Sequence, residues 1–425
     1  MREELLHFLW NNKFFCTRKL KINSNENLEI INTGSWNNNS GPDFLNAQIY
    51  LDNQLWVGNI EIHVKSSDWY THQHELDTNY DAVILHVVWE YDVDVFMKNQ
   101  KLLPTLELKT VIEPRILRIY EKLMRKENKW IHCQNSLYEV GDFIFNNWLE
   151  RLYFERLERK TIAIRRLLLQ TNNDYEAVLF YLIAKGFGLK VNSEAFLKLV
   201  MSFPFKVLKK VRYSNLQLSA LFFGQAGFLE ANKDEVYYNR LKKEYSYIKI
   251  KYGLKPMKCE YFEFFRVRPL NFPTIRIAQL VALAHKHSNM FSKLIKMDDV
   301  DSIYRFFSVE LDDFWKEHYT FDTSRKKRDR SISKSLVNSL IINAIVPIRF
   351  VFMEEKGCSD IEQLLYVLNQ IEIEKNVIVS KFSEIRTFEK RALSSQALIE
   401  LKTNYCDHSK CLKCAIGNHI LKKEA

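Results

Sequence analysis

Over residues 56–65 apolar and ionisable side chains alternate, with Ile60, Ile62 and Val64 on one parity and Glu61, His63 and Lys65 on the other. Period two is the signature of a β-strand with two unlike faces, so the three ionisable groups stand in a row on one of them. The run from Phe44 to Leu51 reads as a second strand, joined to the first through the hairpin turn Asp52-Asn53-Gln54. Such a hairpin folds Asp43 back toward Glu61. Two carboxylates from adjacent strands, followed by a basic residue two or four positions after the second, make a minimal site for Mg²⁺ or Mn²⁺. A cation held there polarises a phosphate and activates water.

The surrounding stretch, residues 41–90, holds four of the eleven histidines, His63, His72, His74 and His86. His72 and His74 lie two apart at a helix start and are expected to diverge. His86 alternates with apolar neighbours in VILHVV and reads as a hydrogen-bonded core histidine. Asp43 follows Pro42 and suits a turn as well as a ligand. Glu61, flanked by isoleucines, is costly to bury without a partner, which favours a functional role.

The motif Pro42-Asp43 … Glu61-x-His63 resembles the PD-(D/E)xK signature of restriction-endonuclease-like nucleases. That resemblance implies an N-terminal α/β nuclease-like module in which Asp43 and Glu61 hold the metal. It leaves open whether His63, at the Lys position, or Lys65, two residues on, takes the Lys role. The segment from Trp69 through His72, Asp77 and Tyr80 to Leu85-His86-Val87 is similar to the helix and strand that follow the motif. An acidic residue on the first helix is also implied, Glu4 or Glu3. The whole chain further resembles a bacterial domain-of-unknown-function family, through GPDF, GNIEIH, SSDWYTH, VILHVV, FGQAG, RPLNFPTIRIAQ and CLKCAIG.

Eleven glycines and eight prolines in 425 residues favour long helices beyond this module. At 47% hydrophobic, the chain can build two or three cores. The expected class is α+β: a restriction-endonuclease-like module over 1–120, a basic helical domain over 121–400, and a cysteine-cluster tail over 401–425 packed on the helical domain. Acidic residues at positions 3 and 4 and the short apolar runs, such as 177–184, argue against a signal peptide and a membrane span, so a cytoplasmic protein is expected. Residues 1–120 carry 11 Lys/Arg against 16 Asp/Glu, whereas the remainder carries 51 against 36. A basic region beside an acidic module suits a nucleic-acid partner, DNA above all, although solvated helix faces account for much of such charge.

Residues 146–170 form a basic amphipathic helix whose arginines are expected to face water. Arg276 falls in the first turn of a helix led by Pro273, where it could meet a phosphate or belong to a structural corner around Phe272. Arg325, Lys326, Lys327 and Arg328 lie in the charge run SRKKRDRSISK, an exposed loop suited to weak phosphate contact. Cys406, Cys411 and Cys414 are spaced for Zn²⁺ or an iron–sulfur cluster, with a fourth ligand from His408, His419, Cys133 or Cys358. Some nucleases resembling the N-terminal module hold a cluster with a C-terminal trio and one distant cysteine, a part that Cys16 or Cys133 would take. No Walker-type phosphate loop is present, so no ATPase is expected.

Three functions follow: a metal-dependent nuclease, a non-catalytic nucleic-acid-binding or scaffold protein on a degenerate nuclease fold, and a small-molecule hydrolase with a metal on His63, His72, His74 or His86. Metal identity separates the first from the last.

Overall fold

The computed structural model describes residues 1–37, 39–125, 129–357 and 361–424. The chain divides into two compact units, one comprising 1–148, 384–386 and 401–425, the other 149–383 and 387–400.

The first unit is built on a mixed sheet. Its elements are α1 (Glu3–Asn11), β1 (Leu20–Lys21), β2 (Asn27–Asn32), β3 (Ser35–Trp36), β4 (Phe44–Leu51), β5 (Gln54–Lys65), α2 (Asp68–Thr71), β6 (Val83–Glu90), β7 (Thr105–Glu107) and α3 (Pro114–Met124). The strand order is β1-β2-β4-β5-β6-β7, and β3 also pairs with β4. The β4–β5 hairpin forms as expected, antiparallel, with Leu51 opposite Gln54 and Phe44 opposite Ile60. Asp52 and Asn53 both take positive φ, 41° and 68°, the conformation that a tight hairpin turn requires. β5 then pairs in parallel with β6, placing Glu61 beside His86. At Gly58 an added Cβ would sit 2.4 Å from Ile84 Cγ2 and 2.6 Å from the Ala82 carbonyl, so the approach of these strands needs glycine. Leu5, Leu6, Leu9 and Trp10 of α1 pack with Phe44, Ile60, Ile62, Leu85 and Val87 in one core.

Two expectations about boundaries are corrected here. The division expected near residue 120 falls inside the first unit, because Ile116, Ile119 and Leu123 of α3 pack into the sheet's core. The tail, expected on the helical domain, belongs to the first unit, because Leu421 joins the same core and Cys411 and Leu412 pack against it.

The second unit is helical, and its helix starts are capped from the sequence. Asp174 accepts from the Ala177 N–H, and Ser214 stands at the cap of Asn215–Gln225. The FGQAG segment is structural. Gly224 lets the helices Asn215–Gln225 and Val236–Tyr252 touch, since a Cβ there would lie 2.1 Å from Tyr245 Cγ. The Tyr245 hydroxyl donates to Gln225 Oε1 at 2.7 Å. Gly224→Ala is therefore expected to cost about 3 kcal/mol of unfolding free energy through overpacking, measurable as a shift in the urea midpoint at constant slope.

The RPLNFPTIR segment is likewise a corner and not a phosphate site. Arg276 is buried, with Nη1 donating to Gln279 Oε1 at 2.7 Å and Nη2 to Asn271 Oδ1 at 2.5 Å. Burial alone pushes its guanidinium down to about 10. Arg325, Lys326, Lys327 and Arg328 are exposed as expected, with Lys327 Nζ 3.4 Å from Asp313 Oδ1. In the basic helix, Arg159 makes a bidentate pair with the buried Glu400 and Arg156 donates to Gln396, so these two arginines do not simply face water. Against the expectation of short apolar runs, one helix, Lys334–Glu355, is long and apolar enough to cross a membrane by length and composition, and 67% of its most apolar stretch is buried. A π-turn at Ile341–Ile345 precedes Pro347 in it.

Candidate metal centre

The inner half of β5 is buried on both faces. Glu61 is 5% exposed and His63 1%, so the ionisable face of the strand is covered at these two residues. Asp43, just before β4, reaches the same point. Its N–H donates to Glu61 Oε2 at 3.1 Å, and its Oδ2 accepts from the Ile62 N–H at 3.0 Å. The meeting of Asp43 and Glu61 expected from the hairpin is thus present.

Helix α1 adds two groups. Glu3 and His7, one turn apart on the same face, come together with Asp43 so that one ligand atom of each lies within 4.8 Å of the others. His7 Nε2 is 3.1 Å from Asp43 Oδ2 and 3.9 Å from Glu3 Oε1. Of the two acidic residues considered on this helix, Glu3 is the one at the site, while Glu4 lies 4.0 Å from Lys413 Nζ.

A second group faces Glu61 from its other side. His63, His72 and His74 also bring three ligand atoms within 4.8 Å of one another. Glu61 Oε1 lies 3.3 Å from His74 Nε2 and 3.5 Å from His63 Nε2, so this one carboxylate borders both groups. The expected divergence of His72 and His74 is corrected. The short helix α2 ends at Thr71, and Gln73 takes a left-handed φ of 60°, which turns the chain and brings both imidazoles to one side. Their ring centroids are 5.4 Å apart, and His74 stacks on Tyr80 at 3.7 Å.

His86 is a core histidine with a task. Its Nε2 lies 2.8 Å from His63 Nδ1, and His63 Nε2 lies 3.0 Å from His72 Nδ1. When His63 Nδ1–H donates to His86, the lone pair of His63 Nε2 is free to bind a metal, the usual tautomer logic of a ligating histidine. Lys65 ends the strand exposed, and its N–H donates to Asp68 Oδ2. The face-sharing expected of His63 and Lys65 therefore brings only His63 into the cluster.

The electrostatics suit a cation. Burial, with repulsion from Asp43, pushes the Glu61 carboxyl up to about 9. Burial, with neighbouring imidazoles, holds His63 down to about 2 and His86 down to about 3, and burial also lowers His74. His7 is the exception: burial opposes its charge, but Asp43 outweighs that and raises it. His7 Nε2 and His74 Nε2 are both buried without a well-formed hydrogen bond. The neutral imidazoles of His63 and His74 beside the mutually repelling carboxylates of Asp43 and Glu61 make a donor set of the kind that suits a divalent ion. Because Glu61 keeps its proton below about 9, Mn²⁺ uptake near pH 7 is expected to expel about one proton per chain. Affinity should then rise roughly tenfold per pH unit up to that point, and calorimetry in buffers of different ionisation enthalpy measures the proton count.

A family model described as protein of unknown function (DUF2851) matches residues 3–377. The chain belongs to this family. No curated protein and no solved structure matches it. The DUF2851 match takes in every residue of the two ligand groups and stops before Cys406, so the family likeness expected to run through CLKCAIG is matched only to residue 377. Of the residues in the two groups, His7 was not anticipated from the sequence; its only signal is the i,i+4 spacing with Glu3 in REELLH, which becomes readable once α1 is placed against β5.

Proposed function

We propose that this protein is a metal-dependent phosphodiesterase acting on nucleic acid, DNA before RNA. The observation that carries the reading is the convergence of Asp43 and Glu61 from the two strands of one hairpin, with Glu3 of α1 beside them. The helix and strand that follow the hairpin, α2 and β6, are also what the PD-(D/E)xK resemblance implies. Glu3, Asp43 and Glu61 would hold the cation. Bound there, a divalent ion supplies Lewis acidity toward a phosphate oxygen and lowers the pKa of an attacking water. His7 fixes the Asp43 carboxylate from the helix side. His63 stands where the resemblance puts a lysine, but, held neutral by burial, it orients water or phosphate by hydrogen bonding and does not neutralise charge. Glu61 accepts the Asp43 N–H, which fixes its rotamer. The exposed Arg325–Arg328 cations add sequence-independent phosphate affinity.

A second reading rests on the His63, His72 and His74 group with Glu61 alongside, a set that selects Zn²⁺ or another transition metal and suits hydrolysis of a small molecule. Incubating the protein with single- and double-stranded DNA and RNA in Mg²⁺ or Mn²⁺ tests the first. Metal-dependent cleavage supports it. Binding with steep salt dependence and no cleavage replaces it with the non-catalytic scaffold, and tightly retained Zn²⁺ with no action on nucleic acid replaces it with the second reading.

A further inference from the structure

In the second unit the helices Asp142–Gln170, Tyr175–Phe187, Leu189–Met201 and Lys334–Leu340, the last with the π-turn Ile341–Ile345, border a cavity of about 470 Å³. That volume lies within the range of small-molecule sites, roughly 300–1,000 Å³. Its aliphatic lining, Leu189 and Leu340 among it, is interrupted by Lys160, Lys185 and Lys190, and no aspartate or glutamate among the described residues lines it. An apolar cleft with charge of one sign selects a ligand of the other.

The lysines are not equivalent. Lys185 has a counter-ion, Glu194 Oε1 at 2.7 Å, and Lys190 is exposed. Lys160 Nζ meets neutral groups: it donates to Asn343 Oδ1 at 2.7 Å and stands 3.5 Å from the Ile342 carbonyl. The buried carboxylate of Glu400, which could have served it, is taken by Arg159 and Arg156. Burial, with repulsion from Arg156, pushes the Lys160 amine down to about 7, as befits a cation without an ion-pair partner.

Two backbone irregularities border the same cavity. Asn343, which accepts from Lys160, belongs to the π-turn, a widening of the helix that recurs at functional sites. Leu189 holds a left-handed φ of 53°, a conformation that costs a residue bearing a Cβ. Such residues persist where their surroundings fix them, and they gather at ligand sites. Gly186 lets the walls meet, since a Cβ there would sit 2.3 Å from Leu340 Cδ2. We infer that this cavity binds a small amphipathic anion, an aliphatic carboxylate whose head group pairs with Lys160 and whose chain lies against Leu189 and Leu340. Such a ligand supplies both things the site lacks, a counter-ion for the ammonium and apolar filling for the walls. The site lies in the helical unit and does not depend on the nuclease reading. The cysteines offer less: among the described residues no three of their sulfurs come within 4.8 Å of one another, Cys16 is exposed, and Cys358 falls outside the described residues.

Calorimetric titration of the full-length protein with octanoate, and separately with octan-1-ol and with inorganic phosphate, tests the assignment. The expected result is saturable uptake of one octanoate per chain, with the alcohol and phosphate each about tenfold weaker or more, because each lacks one half of the match. Lys160→Met keeps an apolar stem without the charge, and should weaken octanoate about tenfold or more while leaving octan-1-ol unchanged. Ala163→Trp, which fills the cavity from an exposed helix position, should weaken both. No saturable octanoate binding, either control binding as tightly as octanoate, or equal octanoate binding by Lys160→Met would overturn the proposal. The three ligands on the wild-type protein decide the matter even if a variant does not fold.

Discussion

Glu61→Gln is expected to lower metal-dependent cleavage about a thousandfold, roughly 4 kcal/mol of transition-state stabilisation, and at the same time to raise the stability of the metal-free protein. The two effects share one cause. Glu61 is buried beside Asp43 and its carboxyl sits near 9, far above its ordinary value of 4.5. The unfolded chain releases this proton near pH 4.5 and the folded, metal-free chain keeps it, so stability falls as pH rises between those values. Glutamine carries no such proton and still offers an oxygen to the Asp43 N–H. At pH 7 the variant should gain about 2–3 kcal/mol over the wild type, relative to the comparison at pH 4.5. Urea titrations of both proteins in chelator across that range check the stability half, and initial cleavage rates in Mn²⁺ check the other. Equal activity of variant and wild type would remove Glu61 from the site.

Trp69→Ala should destabilise the first unit by about 3–5 kcal/mol and loosen the histidine group as well. Trp69 is fully buried and anchors a small core with Val83, Val95 and Leu103, apart from the main one. Its ring packs against His74 at 5.3 Å, His86 at 5.5 Å and Tyr80 at 5.9 Å. This one side chain therefore sets the floor under both the turn that carries His72 and His74 and the histidine that orients His63. Urea unfolding measures the first effect. The second should appear as weaker transition-metal retention in the variant at concentrations of urea where it is still folded, with Trp69→Phe intermediate in both.

What could be read from the chain followed the distance over which its signals act. The β4–β5 hairpin and the meeting of Asp43 with Glu61 were legible, because alternation and an Asp-Asn turn are local and fix register between neighbouring strands. The His72–His74 pair was misread because it depends on the left-handed backbone of Gln73, a residue type with no marked preference for that conformation. Glu3 and His7 were half legible: their spacing is helical, but their arrival at Asp43 is a tertiary fact. Arg276 stayed open between a phosphate contact and a structural corner, because its partners, Asn271 and Gln279, are neutral and leave no charge pattern in the sequence. The placing of the tail and of Cys133 depends on packing across more than 250 positions of sequence, which no local period encodes.

The central claim is that Glu3, Asp43 and Glu61, with His7 bracing the Asp43 carboxylate, hold a divalent cation. Mn²⁺ uptake by the wild-type protein and by Asp43→Asn, followed through the loss of the free-ion electron paramagnetic resonance signal, tests it most directly. The account predicts saturable uptake by the wild type and at least a tenfold weaker response in the variant. No uptake by the wild type, or equal uptake by both, would contradict it.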